Sequence, residues 1–359
     1  MFVFLPKIFA MPQFYPLTVQ EIKRETPLSV SITFLAPSEH TKAFAFEAGQ
    51  YITIKHTLGE KELRRSYSLC TTPKSNVLKV AVKQVENGLF SVFANTKLTV
   101  GDVLQVSPPE GKFVFSKNNN TKNNYLAIAA GSGITPVLSI VKTALEEDAT
   151  CTFLLIYGNK TAADTIFLNE LKELQNSYSG RFYLELLYSR KEEEGARFGR
   201  IDRSIVNYFL KNKYTETTFD ISYLCGPEEM IHEVSETLEA FGLNKDAIHY
   251  ELFTSSDEGE LTDAHEGFTA LTITVDDETF NLQMSQKKSI LDIAIENKID
   301  APYSCQGGIC STCIARVIEG KVEMRKNQIL TESELEEGLI LTCQAHPTTP
   351  TLVVDYDDV

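Results

Sequence analysis

Three cysteines, Cys305, Cys310 and Cys313, stand within the nine residues CQGGICSTC, and a fourth, Cys343, follows thirty residues later in LTCQAHP. Thiolates bind soft metals, and four of them in the order C-x4-C-x2-C and then a distant C suit a two-iron, two-sulfide cluster. A short loop can wrap three thiolates around such a cluster, while the fourth must arrive from another part of the fold. Gly307 and Gly308 would let the backbone approach closely, with N–H groups free to hydrogen-bond sulfur. A structural zinc site also takes four cysteines, but it usually pairs its ligands as two C-x2-C knuckles, and only one such pair is present. Six histidines are scattered without metal-binding spacing, and Cys70 and Cys151 read as core thiols.

Five further stretches could do chemistry. In RSYSL, residues 65–69, a guanidinium can fork onto phosphate oxygens and a tyrosine ring can cover a flat aromatic ligand. Taken alone, this stretch equally suits an ordinary strand with exposed arginines. AAGSGITP, residues 129–136, follows an apolar strand and opens a helix. Its Gly131 and Gly133 permit a tight turn and close phosphate approach, and a helix N-terminus favours negative charge. Pro136 stands where the dinucleotide fingerprint G-x-G-x-x-G would need its last glycine. LCGPEEM, residues 224–230, repeats the strand–turn–helix pattern, with Cys225 at the strand end. YELF, residues 250–253, ends the region. The third strand here closes in Tyr188-Ser189-Arg190, where a hydroxyl and a guanidinium suit a nucleotide 2′-phosphate better than a free ribose diol. Arg200 can add a phosphate contact, whereas Glu192, Glu193 and Glu194 oppose one, so NADPH is expected with NADH as the alternative.

The elements that must position these groups fall into three regions. Residues 11–118 read as frequent short strands broken by Gly and Pro, which predicts a small antiparallel barrel. Residues 119–254 alternate apolar strands with amphipathic helices, as in YLAIAA and then PVLSIVKTALEE, which predicts a parallel α/β sheet. Residues 255–267, SSDEGELTDAHEG, read as an acidic linker, and residues 268–359 as a compact α+β domain.

The chain has 359 residues and a net charge of −15, and residues 265–359 hold sixteen acids against seven bases. Such a tail argues against nucleic acid and for a basic protein partner. No stretch is apolar over the roughly 20 residues that a membrane span needs. Seven cysteines, an odd number with Cys70, Cys151 and Cys225 scattered, argue against a secreted disulfide framework. The expected location is the cytoplasm, and the apolar opening MFVFLPKIFA leaves Met1 and Met11 as alternative starts.

In this order the motifs resemble the ferredoxin–NADP reductase family followed by a plant-type ferredoxin of the β-grasp fold, over residues 14–359. AGQY (48–51), VAVKQVENGLFS (80–91) and PPEGKF (108–113) accompany RSYSL as in that family. The resemblance implies bound FAD, with Arg65 on the diphosphate, Tyr67 against the isoalloxazine and Ser68 near N5. Val82, Lys83, Gly88 and Ser91 fall where the flavin chain and phosphates are held. It further implies Gly131, Gly133 and Thr135 at the nicotinamide nucleotide, Cys225 at the nicotinamide–flavin junction, and Glu251 and Phe253 closing the site. Ser68, Cys225 and Glu251 would form the catalytic group, with hydride passing to flavin and single electrons to the cluster. With the ferredoxin last, the chain resembles reductase components of bacterial oxygenases, and among them the reductase subunits of the diiron ring-1,2-phenylacetyl-CoA epoxidases. Chloroplast ferredoxins commonly carry Arg after the first cysteine; Gln306 here fits the bacterial fused form. A reductase of another oxygenase, such as a ring-hydroxylating dioxygenase or a different diiron monooxygenase, with FMN and NADH, is the alternative. A zinc-stabilised nucleotide-binding regulator, which would be colourless, is the reading from another class.

Overall fold

The computed structural model describes residues 14–36, 40–59, 61–117, 123–253 and 267–359. The expected start at Met11, the junction at 118/119 and nearly all of the acidic linker lie outside the described residues. Those described form two compact units, one from residues 15–253 and one from residues 267–359.

The first unit opens with six antiparallel strands: β1 (Tyr15–Thr26), β2 (Ser29–Leu35), β3 (Tyr51–Leu58), β4 (Lys61–Ser68), β5 (Leu78–Lys83) and β6 (Val103–Val106). Their spatial order is β4-β3-β6-β1-β2-β5. The two edges meet through a Leu69–Val80 bridge and a Cys70 N–H to Lys79 O hydrogen bond of 2.9 Å, which closes the sheet into the expected barrel. Alternating residues such as Val30, Ile32, Ile52, Ile54, Val80 and Val82 fill its interior. After β5 the chain turns into helix α1 (Leu89–Thr96), in a region read from the sequence only as short strands. Phe90 and Ala94 bury against the barrel interior with Ser91 and Asn95 beside them, the i, i+1, i+4, i+5 pattern of one helix face.

The parallel sheet follows. Its strands are β7 (Asn124–Ala130), β8 (Thr152–Asn159), β9 (Phe182–Tyr188), β10 (Arg197–Phe198), β11 (Ile221–Gly226) and β12 (Ile248–Leu252). The helices between them are α2 (Ile134–Glu147), α3 (Leu168–Ser177), α4 (Arg203–Tyr208) and α5 (Glu228–Ala240). The spatial order β10-β9-β8-β7-β11-β12 reverses between β7 and β11. A crevice outside the carboxyl ends of the strands at such a reversal is where doubly wound sheets bind ligands. Both glycine-bearing turns, 131–133 and 225–227, lie there. The main core of this region also takes in Ala48, Cys70, Ala81 and Phe113 from the barrel stretch, so an apolar seam joins the two modules.

In the second unit β13 (Phe268–Val275), β14 (Glu278–Ser285), β15 (Ile314–Glu319), β17 (Leu339–Leu341) and β19 (Thr351–Asp355) form a mixed sheet of order β14-β13-β19-β15-β17. Strands β16 (Val322–Met324) and β18 (Ala345–Pro347) pair separately, and helices α6 (Ile290–Glu296) and α7 (Glu332–Glu336) complete the unit. Helix α6 starts on a Ser289/Asp292 capping box and buries Ile290, Leu291, Ile293 and Ala294 in a core that belongs to this unit. No helix among the described residues is long and apolar enough to cross a membrane.

Candidate functional site

The cysteine loop lies between α6 and β15. Its left-handed residues are Gln306, at φ 56°, and Gly308, at φ 71°. Gly308 is required there: a Cβ would stand 2.9 Å from Lys326 O and 3.0 Å from Gln344 Cγ. Gln328 N–H donates to Gly308 O at 3.1 Å, so the segment after β16 straps the loop down. At the far side, Thr342 donates both its N–H and its hydroxyl to Cys313 O, each at 3.0 Å, and thereby sets Cys343 beside the loop.

The four thiols form two pairs. Cys310 Sγ lies 3.1 Å from Cys305 Sγ, and Cys313 hydrogen-bonds Cys343. Among the described residues no three His, Cys, Asp or Glu side chains converge on one position that would hold a single ion. Paired thiols suit a two-metal cluster better than a tetrahedral zinc site. Backbone N–H groups surround the sulfurs: Gly307 N–H reaches Cys305 Sγ at 3.3 Å, and those of Ile309, Thr312 and Gly308 serve Cys305, Cys310 and Cys343. The hydrogen bond from Cys310, helped by the N–H groups of Gly307 and Ile309, holds Cys305 down to about 7. Cys343 is lowered in the same way by Cys313, then by Gly308 N–H. Cys310 and Cys313 are raised by their thiol partners and by burial. The sulfurs thus sit in a cage of N–H donors that suits an anionic cluster.

At the carboxyl end of the parallel sheet three residues distant in sequence converge. Ser68 Oγ, at the end of β4, donates to Glu251 Oε2 at 3.5 Å across 183 residues. Glu251 stands opposite Cys225 in the β11–β12 ladder. Gly133 packs directly onto Cys225: a Cβ there would lie 2.2 Å from Cys225 O and 3.1 Å from its Sγ. The Cys225 thiol is wholly buried, and burial, then the neighbouring Glu251 charge, raises its pKa. Phe253 packs at the margin of the same core. Ser139 Oγ on α2 donates to Thr71 O at 2.6 Å, just beyond RSYSL, and so joins the nucleotide helix to the barrel.

Around this centre, Arg65 is exposed and its Nη1 donates to Arg64 O at 2.7 Å. Tyr67 lies half-buried, 5.7 Å from the Phe90 ring, with its pKa raised by burial. Gly88 forms the N-cap of α1, and Ser91 Oγ accepts from Val85 N–H at 3.1 Å and donates to Gly88 O at 3.4 Å. Thr135 Oγ1 donates to Ser132 O at 3.0 Å and rigidifies the glycine turn. The Lys83 side chain turns towards that turn, with Nζ 3.4 Å from where a Cβ on Gly131 would be. Burial first, and then Lys160, lower the pKa of Lys83, which makes the place attractive to an anion.

Val82 was expected among the flavin contacts. Its side chain is instead wholly inside the barrel core and its carbonyl accepts from Asn95 Nδ2 at 3.0 Å, leaving no surface for a ligand. Ser189, Arg190 and Arg200 lie apart from the Ser68–Cys225–Glu251 group, at the β9–β10 edge. Tyr188 pairs with Phe198 in parallel there, and Gly199 N–H donates to Tyr188 O at 3.0 Å.

Sequence reasoning missed three residues that hold the sites. Tyr157 OH donates to Gly131 O at 2.9 Å from a fully buried ring. Asn95 bonds Val82 O and Ser91 O and accepts from Arg24 Nη1 at 2.8 Å. Gln344 Nε2 donates to Gln306 O at 3.0 Å. A polar side chain inside the apolar run LFSVFANT was the available signal for Asn95; nothing comparable marked Gln344.

Three family models match the chain: an oxidoreductase FAD-binding domain over residues 17–115, an oxidoreductase NAD-binding domain over 127–236, and a 2Fe-2S iron-sulfur cluster binding domain over 273–348. The chain is 35% identical to a subunit of the 1,2-phenylacetyl-CoA epoxidase of Escherichia coli K12, over 97% of this chain and 99% of that protein. It is 31% identical to the ferredoxin reductase component of 3-ketosteroid-9-alpha-monooxygenase of Rhodococcus rhodochrous, over 95% of this chain and 96% of that protein. In fold it matches phthalate dioxygenase reductase with a TM-score of 0.63 at 21% identity, over 96% of this chain and all of that one. With its barrel, its parallel sheet and its caged cysteine pairs in the same order, the chain belongs to the flavin and iron–sulfur reductase components of oxygenases.

Proposed function

We propose that this protein takes hydride from NADPH and delivers electrons singly to a diiron oxygenase that epoxidises the ring of phenylacetyl-CoA. The near full-length likeness to the Escherichia coli protein supports that partner. The observation that carries the electron-transfer reading is the meeting of Ser68, Cys225 and Glu251 beneath the glycine turn. Bound FAD supplies the exchange between a two-electron donor and the one-electron [2Fe–2S] cluster.

The chain's own residues bind and orient. Arg65 offers its guanidinium to the flavin diphosphate near the start of α1, where Gly88 and Ser91 shape the turn. Tyr67 lies along the isoalloxazine, its hydroxyl kept neutral by burial. Ser68 and Glu251 share a hydrogen bond beside the reacting ring, while Gly133 and Cys225 set how closely the nicotinamide can approach, with Phe253 at the margin. Lys83, with Gly131 and Thr135, faces the nucleotide phosphates rather than the flavin chain. Cys305 and Cys310 would hold one iron, Cys313 and Cys343 the other. These roles assign residues 11–118 to FAD, 119–254 to the nucleotide, 255–267 to a linker and 268–359 to the cluster. The acidic last domain would dock on a basic patch of its oxygenase, in the cytoplasm.

For the nucleotide, Arg190 and Arg200 each follow two residues after the Tyr188–Phe198 pair that ends the two strands. Neither guanidinium makes a hydrogen bond or ion pair among the described residues, which leaves both available to a 2′-phosphate. A hollow of about 360 Å³ lined by Glu192, Glu193, Glu194, Ala196 and Phe198 is the feature that favours NADH instead. Arg190→Ala is expected to raise KM for NADPH about tenfold, a loss of ~1.4 kcal/mol, and to leave KM for NADH unchanged. Equal losses for both nucleotides would remove the 2′-phosphate role.

The partner is tested by turnover. The reduced protein should sustain epoxidation by a purified phenylacetyl-CoA epoxidase oxygenase. If it fails there and reduces a ring-hydroxylating dioxygenase well, the proposed acceptor is wrong.

A further inference from the structure

Gln344 directly follows Cys343, and its half-buried amide faces the cysteine loop. Its Nε2 stands 3.0 Å from Gln306 O, 3.1 Å from Cys343 O and 3.8 Å from Cys343 Sγ. All three neighbours are acceptors, so the NH2 group and not the carbonyl oxygen must point inward. The backbone fixes the side chain from both sides: Gln344 N–H donates to Leu341 O at 2.9 Å, and Arg325 N–H donates to Gln344 O at 3.0 Å.

The placement joins two parts of the chain that nothing local would hold together. Gln306 sits at φ 56°, where a residue with a Cβ is disfavoured, and its carbonyl is the one that Gln344 grips. That conformation presents the following N–H groups of Gly307, Gly308 and Ile309 to the sulfurs. Gln344 therefore acts on Cys305 through the loop backbone and on Cys343 through its own N–H.

We infer that Gln344 is a positioning residue that raises the reduction potential of the iron–sulfur centre and slows its loss; the inference rests on the reading of the four cysteines as cluster ligands. The physical reason is charge. Reduction adds one negative charge to a centre already made of thiolates and sulfides, and N–H donors stabilise the reduced form more than the oxidised one. Removing the amide takes away one donor directly and loosens the loop that supplies the others.

The test is a potentiometric titration of the full-length holoprotein, followed by the electron paramagnetic resonance signal of the reduced centre. Gln344→Met keeps the length of the side chain and cannot donate. Gln344→Glu keeps its shape and places an acceptor against three acceptors. At the potential where half of the wild-type centre is reduced, the oxidised-to-reduced ratio of Gln344→Met should rise about tenfold, a fall of ~59 mV for one electron. Gln344→Glu should fall further, and both variants should release iron to a chelator faster than the wild type at equal FAD content. A Gln344→Met protein that titrates with the wild type and keeps its iron as long would overturn the inference. A wild type that takes up no [2Fe–2S] centre would instead sink the reading of the cysteines, and the inference with it.

Discussion

Cys310→Ser is expected to remove the iron–sulfur centre while the flavin half of the protein goes on working. Cys310 is 6% exposed, lies 3.1 Å from Cys305 Sγ and receives the Thr312 N–H. A serine hydroxyl in its place stays protonated near neutral pH and is a poor ligand for iron, which leaves one cysteine of the pair alone. Folding should survive, because Cys310 stands outside the apolar core of its unit, whereas Cys313 and Cys343 are part of that core. Iron content should drop to near zero. NADPH oxidation with ferricyanide, which draws electrons straight from flavin, should stay within about twofold, and electron delivery to the oxygenase should fall by at least about a hundredfold. Retained iron would remove Cys310 from the ligand set. Ferricyanide activity lost together with the iron would mean that the flavin site depends on the cluster domain.

Gly133→Ala should be nearly as damaging, by a different route. The added methyl would stand 2.2 Å from Cys225 O and 2.6 Å from its carbonyl carbon, and backbone atoms at a strand end cannot swing aside. Helix α2 would have to withdraw from β11, although eleven of its fourteen residues are buried. Overpacking of this kind costs about 1–3 kcal/mol and sometimes more. The larger effect should fall on rate, because the same turn positions nicotinamide against flavin. A displacement of ~1 Å at a reacting centre costs about a hundredfold. Stopped-flow bleaching of the flavin by NADPH measures this directly. A rate within a few-fold of wild type would show that the close Gly133–Cys225 approach does not set hydride-transfer geometry.

Much of this architecture was legible from local pattern. Strand and helix periods depend on neighbours a few residues apart, and they predicted both sheets and the barrel. The spacing of Cys305, Cys310 and Cys313 is covalent information, since the loop can reach only so far. What stayed hidden depended on partners remote in sequence. Whether Lys83 faces flavin or the glycine turn is decided by how strand β5 lies against residues 131–133, and no period encodes that. Val82 carries a motif position but points inward, because alternation along β5 sends every second side chain into the barrel. Close backbone approach was expected of Gly307 and Gly308, but the left-handed turn at Gln306, beside Gly308, carried no signal in the sequence.

The division of the apolar interior also bears on how such a chain can be rearranged by gene fusion and fission. The cluster domain closes its own core, with Leu271, Ile273, Leu341 and Val354 among its members. The flavin barrel has an interior of its own, but its Ala48, Cys70, Ala81 and Phe113 lie in the core of the nucleotide module with Tyr125, Val137 and Tyr223. A breakpoint after β12 would leave whole cores on either side, whereas one between β6 and β7 would expose apolar surface on both pieces. Recombination can therefore exchange the one-electron carrier as a cassette, moving it to the other end of the chain or onto a separate gene, while the hydride-handling pair has to travel as a single inheritance.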